Sequence, residues 1–141
     1  MQKSSLLIAS VVALGLAGAA PTEAHHAVQA QFDTNKNYVI TGVLKKVEWQ
    51  NPHAWFHFEV TQADGKKVLW STETVGPNGL RRIGLSDRRL FVLGATYTVD
   101  LCPDRSGKPL GFTNSITFPD GKTVKIGFPD EPGGEPPVKL N

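Results

Sequence analysis

The stretch HAWFHFEVT, residues 53–61, alternates without a break. Ala54, Phe56, Phe58 and Val60 fall on one side, and His53, Trp55, His57 and Glu59 on the other. A period of two is what a strand with one buried face requires, and it conflicts with the 3.6-residue period of an amphipathic helix. Whatever this chain folds into must therefore contain a sheet that buries Phe56 and Phe58.

Strand signals of the same kind run through most of the chain. YVITGVLKKVEW (38–49) is long and β-branched, with Gly42 expected as a bulge or bend. QNP turns the chain into the alternating strand, and ADGK (63–66) carries the Asp-Gly pair of a hairpin leading into KVLWSTET (67–74). In GPNGLRRIGLS (76–86) a proline starts, Leu80 and Ile83 stand three apart and Gly84 stops, which predicts a short helix. A turn at Gly94 precedes a strand from Thr96 to Leu101, SGKP turns again, LGFTNSITF (110–118) follows, and PDGK opens the last strand, TVKIGF. Three strands in meander, a helix, then two or three more strands predict an all-β fold. The expected form is a small OB-like, partly open five- to six-stranded β-barrel with one short helix between strands 3 and 4. A β-sandwich competes, but it fits poorly with so few strands and an inserted helix.

The ends of the chain read differently. Lys3 followed by LLIASVVALGLAGAA has the charge and length of a secretory signal, short of the roughly 20 residues a membrane span requires. Pro21 and the small residues Thr22 and Ala24 favour cleavage after Ala24 over a second site after Ala19. The expected division is a signal peptide over 1–24, a barrel domain over 25–128 and a Pro/Gly-rich, extended or disordered tail over 129–141. The expected location is periplasmic or secreted, with no membrane insertion after signal removal. Cleavage removes Lys3 and Glu23 together, so the formal charge stays at +2 and gives no strong pull towards nucleic acid or anionic membrane. Cys102 is the one cysteine, so it forms no internal disulfide, and its place at a strand end suits a buried, inert thiol.

The chain has four histidines, gathered into two short segments: His25 and His26 at the expected new terminus, and His53 and His57 on one strand face. Four residues of strand separate the last two by about 13 Å, so a straight strand does not bring both to one ion. Cleavage before His25 would give that residue a free α-amine, whose pKa of about 7.7–8.0 lets a metal deprotonate it while the imidazole closes a chelate ring. A second imidazole opposite completes a planar N3 set of the kind Cu(II) prefers. His53, at the Asn-Pro turn, is the best such ligand, with His26 and His57 competing for a further place. Glu73, on the neighbouring strand, is the nearest carboxylate partner. The pattern resembles the copper histidine brace of lytic polysaccharide monooxygenases and periplasmic copper carriers, a likeness carried by His25 and one partner histidine alone.

Trp49 and Trp70 suit the core, whereas Trp55 shares the histidine face. Arg81, Arg82, Asp87, Arg88 and Arg89 read as solvated charge around the helix. No Ser/His/Asp set, phosphate loop or paired-carboxylate motif stands out. AHHAVQAQFD, TGVLKKVEWQNPHAWFHFEV, WSTETVGPNGLRRIG and ITFPDGK together are similar to an uncharacterised family of secreted bacterial proteins that carry a domain of unknown function. Those proteins share an Ala-His-His start and an Asn-Pro-His turn, and the likeness spans nearly all of residues 24–122. It implies that His25, His26 and His53 belong to the family pattern, and it implies no activity.

The residues thus suit a copper-binding module for carriage, sensing or sequestration, with a copper donor or acceptor protein as partner. A metal-free barrel that binds a ligand or protein through the Trp55 face is the alternative, and a copper oxidoreductase is a third reading. If the first is right, mass spectrometry of the exported protein finds a mature chain beginning at His25. A start at Ala20 would place the amine five residues from that imidazole and remove the chelate.

Overall fold

The computed structural model describes residues 28–127; the expected leader over 1–24, His25, His26 and the segment 129–141 lie outside them. A helical turn over residues 28–31 leads into six strands, β1 (Tyr38–Glu48), β2 (Trp55–Thr61), β3 (Lys67–Glu73), β4 (Thr96–Pro103), β5 (Leu110–Thr117) and β6 (Thr123–Lys125). The short helix α1 (Pro77–Arg82) lies between β3 and β4. The sheet order is β3-β2-β1-β4-β5-β6, and a parallel pairing of β3 with β5 joins the ring. Five strands therefore form a closed mixed barrel of OB-like order, where the sequence suggested a partly open one, and β6 stays outside on β5.

Local chemistry explains the connections. The β2–β3 hairpin closes through Gln62 N–H on Lys66 O and Gly65 N–H on Gln62 O, with Gly65 at φ +83°. That positive φ is the left-handed position of a three-residue hairpin loop. The second Asp-Gly-Lys, at 120–122, repeats it, with Gly121 at φ +86° between β5 and β6. Pro77 opens α1, and Gly84, at φ +85°, ends the helical stretch. Leu85 N–H bonds to Leu80 O and Gly84 N–H to Arg81 O, the two bonds of a Schellman close, while the Leu80 and Leu85 side chains are both buried.

The core fills from the alternation that the sequence showed. Ala54, Phe56 and Phe58 are fully buried with Leu44, Leu80, Tyr97, Val99, Leu101 and Ile116, and Val60 is half-buried beside them. Complete burial of a side chain of this size contributes about 1.5–3 kcal/mol. Trp49 and Trp70 pack against this core as expected, and the Trp49 ring meets Phe91 edge-on at 5.4 Å.

Two boundaries differ from the sequence reading. Regular β2 begins at Trp55, not at His53, because the Asn51–Pro52 turn, which has a cis peptide bond, occupies the approach. The irregularity in β1 falls between Leu44 and Lys46, not at Gly42. Gly42 serves instead where β1 bends from β4 to β2: a Cβ there would lie 2.9 Å from Glu59 O and 3.1 Å from Phe58 Cβ. Gly111 meets the same limit at the closing pair, 2.5 Å from Leu101 Cδ1 and 2.9 Å from Cys102 O. Gly111→Ala is expected to destabilise the barrel by about 1–3 kcal/mol through overpacking, read as a lower urea midpoint with an unchanged slope.

Candidate functional site

The hairpin register builds the site. Counting outward from the Asp64–Gly65 turn pairs Phe58 with Trp70, His57 with Ser71 and Trp55 with Glu73. Pairing persists past the strand end, for Thr74 N–H donates to Ala54 O at 2.9 Å. His53 therefore stands diagonally across from Glu73 on the outer face of the barrel, and its Nδ1 pairs directly with the Glu73 carboxylate. The imidazole is mostly covered and the carboxylate almost fully buried, at 18% and 8% side-chain exposure. Burial pushes the Glu73 carboxyl above the usual carboxylate range, and the adjacent His53 pulls it back only in part.

Three neighbours hold this pair in place. Phe112 lies beside Glu73 across the β3–β5 seam and meets the His53 ring edge-on, with centroids 6.4 Å apart. Gly76 lets the chain after β3 pass the His53 turn, since a Cβ there would lie 2.3 Å from Pro52 O. The amino-terminal arm covers the far side of Phe112: Val28, Phe32, Cys102 and Phe112 form a second apolar cluster outside the barrel. Backbone bonds fasten the arm, from Asp33 N–H to Pro103 O and from Arg105 N–H to Gln31 O, with the Arg105 guanidinium on Gln29 O. Cys102 is buried in this cluster, and burial raises its thiol, which fits the inert role expected of it.

His57 has different partners. Its Nε2 lies 3.0 Å from Glu48 Oε1 and its Nδ1 2.9 Å from Ser71 Oγ, so both ring nitrogens are engaged. Lys46, with His57 alongside, holds the Glu48 carboxyl below its ordinary value. The two histidines of β2 and its approach are thus served by two different carboxylates, while His25 and His26 lie outside the described residues. Among the described residues no group of three or more His, Cys, Asp or Glu side chains is arranged to hold a metal ion. None of their helices is long and apolar enough to cross a membrane.

A neutral histidine whose Nδ1–H donates a hydrogen bond to a carboxylate presents Nε2 with a lone pair, as a ligand or a base. Of the two histidine–carboxylate pairs within residues 28–127, the one beside the anchored arm is His53 with Glu73. The sequence located His53 but did not place Glu73. The signal was available in the hairpin, because its register alone sets Glu73 opposite Trp55. Phe112 and Gly76 had no such signal, since both act through the β3–β5 closure and the turn at Pro52.

These features define a small closed β-barrel with a histidine–carboxylate pair on its outer wall. The chain belongs to a family of unknown function (DUF6152), whose model matches residues 13–113 and so includes the arm, the Asn-Pro-His turn and Glu73. No curated protein and no solved structure matches the chain.

The raised Glu73 pKa has a stability consequence. The native state keeps this proton to higher pH than the unfolded chain, so stability falls as pH rises from the ordinary glutamate range, about 4.3, through the raised value. Glu73→Gln has no such proton to lose. Urea midpoints compared at pH 4 and pH 7 should therefore show the variant gaining on the native protein as pH rises. An equal pH trend in both would mean that His53 fully compensates the buried charge.

Proposed function

We propose that this chain is an exported metal-binding module that holds one Cu(II) between its mature amino terminus and His53, for copper carriage, sensing or sequestration. The observation that carries the proposal is the docking of the arm. Val28 and Phe32 belong to one apolar cluster with Phe112, and Phe112 touches the His53 ring. Only two residues, His26 and Ala27, lie between His25 and Val28, so three Cα–Cα steps give a reach of about 10 Å at full extension. A tether of that length would let a ligand at position 25 reach towards His53.

The pairing with Glu73 supports the same reading. Metal-ligating histidines ordinarily donate their second ring N–H to a carboxylate, which fixes the tautomer and raises the basicity of the ligating nitrogen. With Nδ1 on Glu73, His53 keeps Nε2 for a metal, and a chelate of the His25 amine and imidazole would supply the other nitrogens. His26 is the competitor for a further place. His57 could join only by giving up its bond to Glu48 or Ser71. Nitrogen ligands in one plane favour copper among the divalent ions, and a copper donor or acceptor protein is the corresponding partner.

Copper titration followed by electron paramagnetic resonance tests this directly. The mature protein is expected to bind one Cu(II) with a tetragonal, nitrogen-rich spectrum, and affinity is expected to fall at lower pH as protons compete for the nitrogens. One extra residue before His25, or His53→Ala, should abolish that spectrum. Glu73→Gln should keep the spectrum and weaken binding by about 10–100-fold, the usual cost of losing an outer-shell partner. An unchanged spectrum in the extended protein would eliminate the amino terminus as a ligand and with it the proposal.

A further inference from the structure

The segment RRLFVLG, residues 88–94, splits its apolar side chains in an unusual way. Phe91 turns inward and is buried against Trp49, Phe56 and Phe118. Leu90, Val92 and Leu93 are left in water, at 42%, 55% and 61% exposure. These are three of the six large hydrophobic side chains exposed among the described residues, and they occupy one loop. A run of exposed aliphatic residues at one place marks an interaction surface more often than scattered ones do.

The loop is held rigidly. The buried Tyr97 side chain ties it, with its hydroxyl accepting from Val92 N–H at 2.8 Å and donating to Leu90 O at 3.1 Å. Gly94 N–H bonds to Leu44 O and Ala95 N–H to Val92 O, while Gly94 takes φ +86° to make the turn. The three side chains are therefore displayed by a fixed backbone, and binding through them carries little ordering cost.

Cations lie close to the loop in sequence. Residues 81–93 contain Arg81, Arg82, Arg88 and Arg89 against a single carboxylate, Asp87, which is bound to Arg89. The Arg88 guanidinium sits over the Trp49 ring at 5.1 Å, beside the Phe91 anchor. Lys45 is exposed next to Leu44, the residue that hydrogen-bonds Gly94 and Ala95. On their own these charges read as solvated; beside three exposed aliphatic side chains they form an apolar tip with a cationic rim.

We propose that the Leu90–Leu93 loop docks the protein peripherally on an anionic phospholipid bilayer, with Leu90, Val92 and Leu93 entering the interface and the arginines meeting lipid phosphates. Charge complementarity selects this occupant, since apolar side chains and cationic neighbours together satisfy both layers of such a surface. Size argues against a stable protein partner. Three aliphatic side chains fall well short of the roughly 800 Å² per side of a specific interface, and the aromatic anchor that such interfaces favour, Phe91, is turned inside.

Vesicle sedimentation of the mature protein, beginning at His25 and so without the apolar leader, tests the proposal, with phosphatidylcholine alone and with phosphatidylcholine containing one quarter phosphatidylglycerol. Binding is expected to the anionic vesicles only, and to weaken at high salt. The pair Val92→Ser, Leu93→Ser should reduce partitioning by about tenfold or more, and Arg88→Gln or Arg89→Gln by about fivefold each. Thermal melting of the serine pair without lipid should match the parent, because those two side chains are exposed. Absence of binding to anionic vesicles, equal binding to neutral ones, or full binding by the serine pair overturns the proposal. So does a change in the protein's own oligomeric state in the serine pair, which would assign the loop to contact between copies or to an acidic protein surface. None of these readings depends on copper.

Discussion

The parallel pairing of β3 with β5 is the contact on which the remaining architecture rests. It consists of three residue pairs, Ser71 with Leu110, Thr72 with Gly111 and Glu73 with Phe112. Without it the sheet would be open, with β3 and the start of β5 left as free edges, a configuration prone to pairing with other chains. With it, the Phe56, Phe58 and Leu101 faces turn inward onto one another and exclude water. Next to that seam, position 111 has no room for a side chain, because Leu101 and Cys102 of β4 crowd it from the other neighbouring strand.

The same seam creates the outer site. It sets Glu73 against Phe112, and Phe112 supplies the apolar surface on which the amino-terminal arm settles. A carboxylate in that position loses most of its hydration, which is costly unless a partner compensates. His53 is that partner, delivered by a turn that passes close over Gly76. The barrel keeps a buried histidine–carboxylate pair on its outer wall where an apolar pair would have packed without a desolvation penalty. The contrast with His57 is informative, because its two partners leave neither ring nitrogen free for other chemistry.

Apolar side chains are divided among three destinations. Those on the inner strand faces make the barrel core, Val28 and Phe32 join Phe112 and Cys102 in the outer cluster, and Leu90, Val92 and Leu93 stay in water. Hydrophobicity alone does not distinguish these destinations. The alternation of β2 assigns the first, the arm's bonds to Pro103 and Arg105 assign the second, and the Tyr97 tether assigns the third.

Legibility in the sequence followed the range of the interaction. Period-two alternation, the Asp-Gly turns and the Pro77–Gly84 helix limits are local signals, and they were sufficient for the element order, the OB-like class and the inward placement of Phe56 and Phe58. The same local logic singled out His53 and separated it from His57. Tertiary structure alone decided that Glu73 would be buried beside His53, that Phe112 would join them to the arm and that the bulge in β1 would fall after Leu44. The link from Glu73 to Phe112 and the arm depends on β3 and β5, strands distant in sequence, meeting at one register, and the bulge depends on how β1 is shared between β2 and β4. A local pattern specifies which face of a strand is apolar, but only the closed barrel determines what stands on the other face.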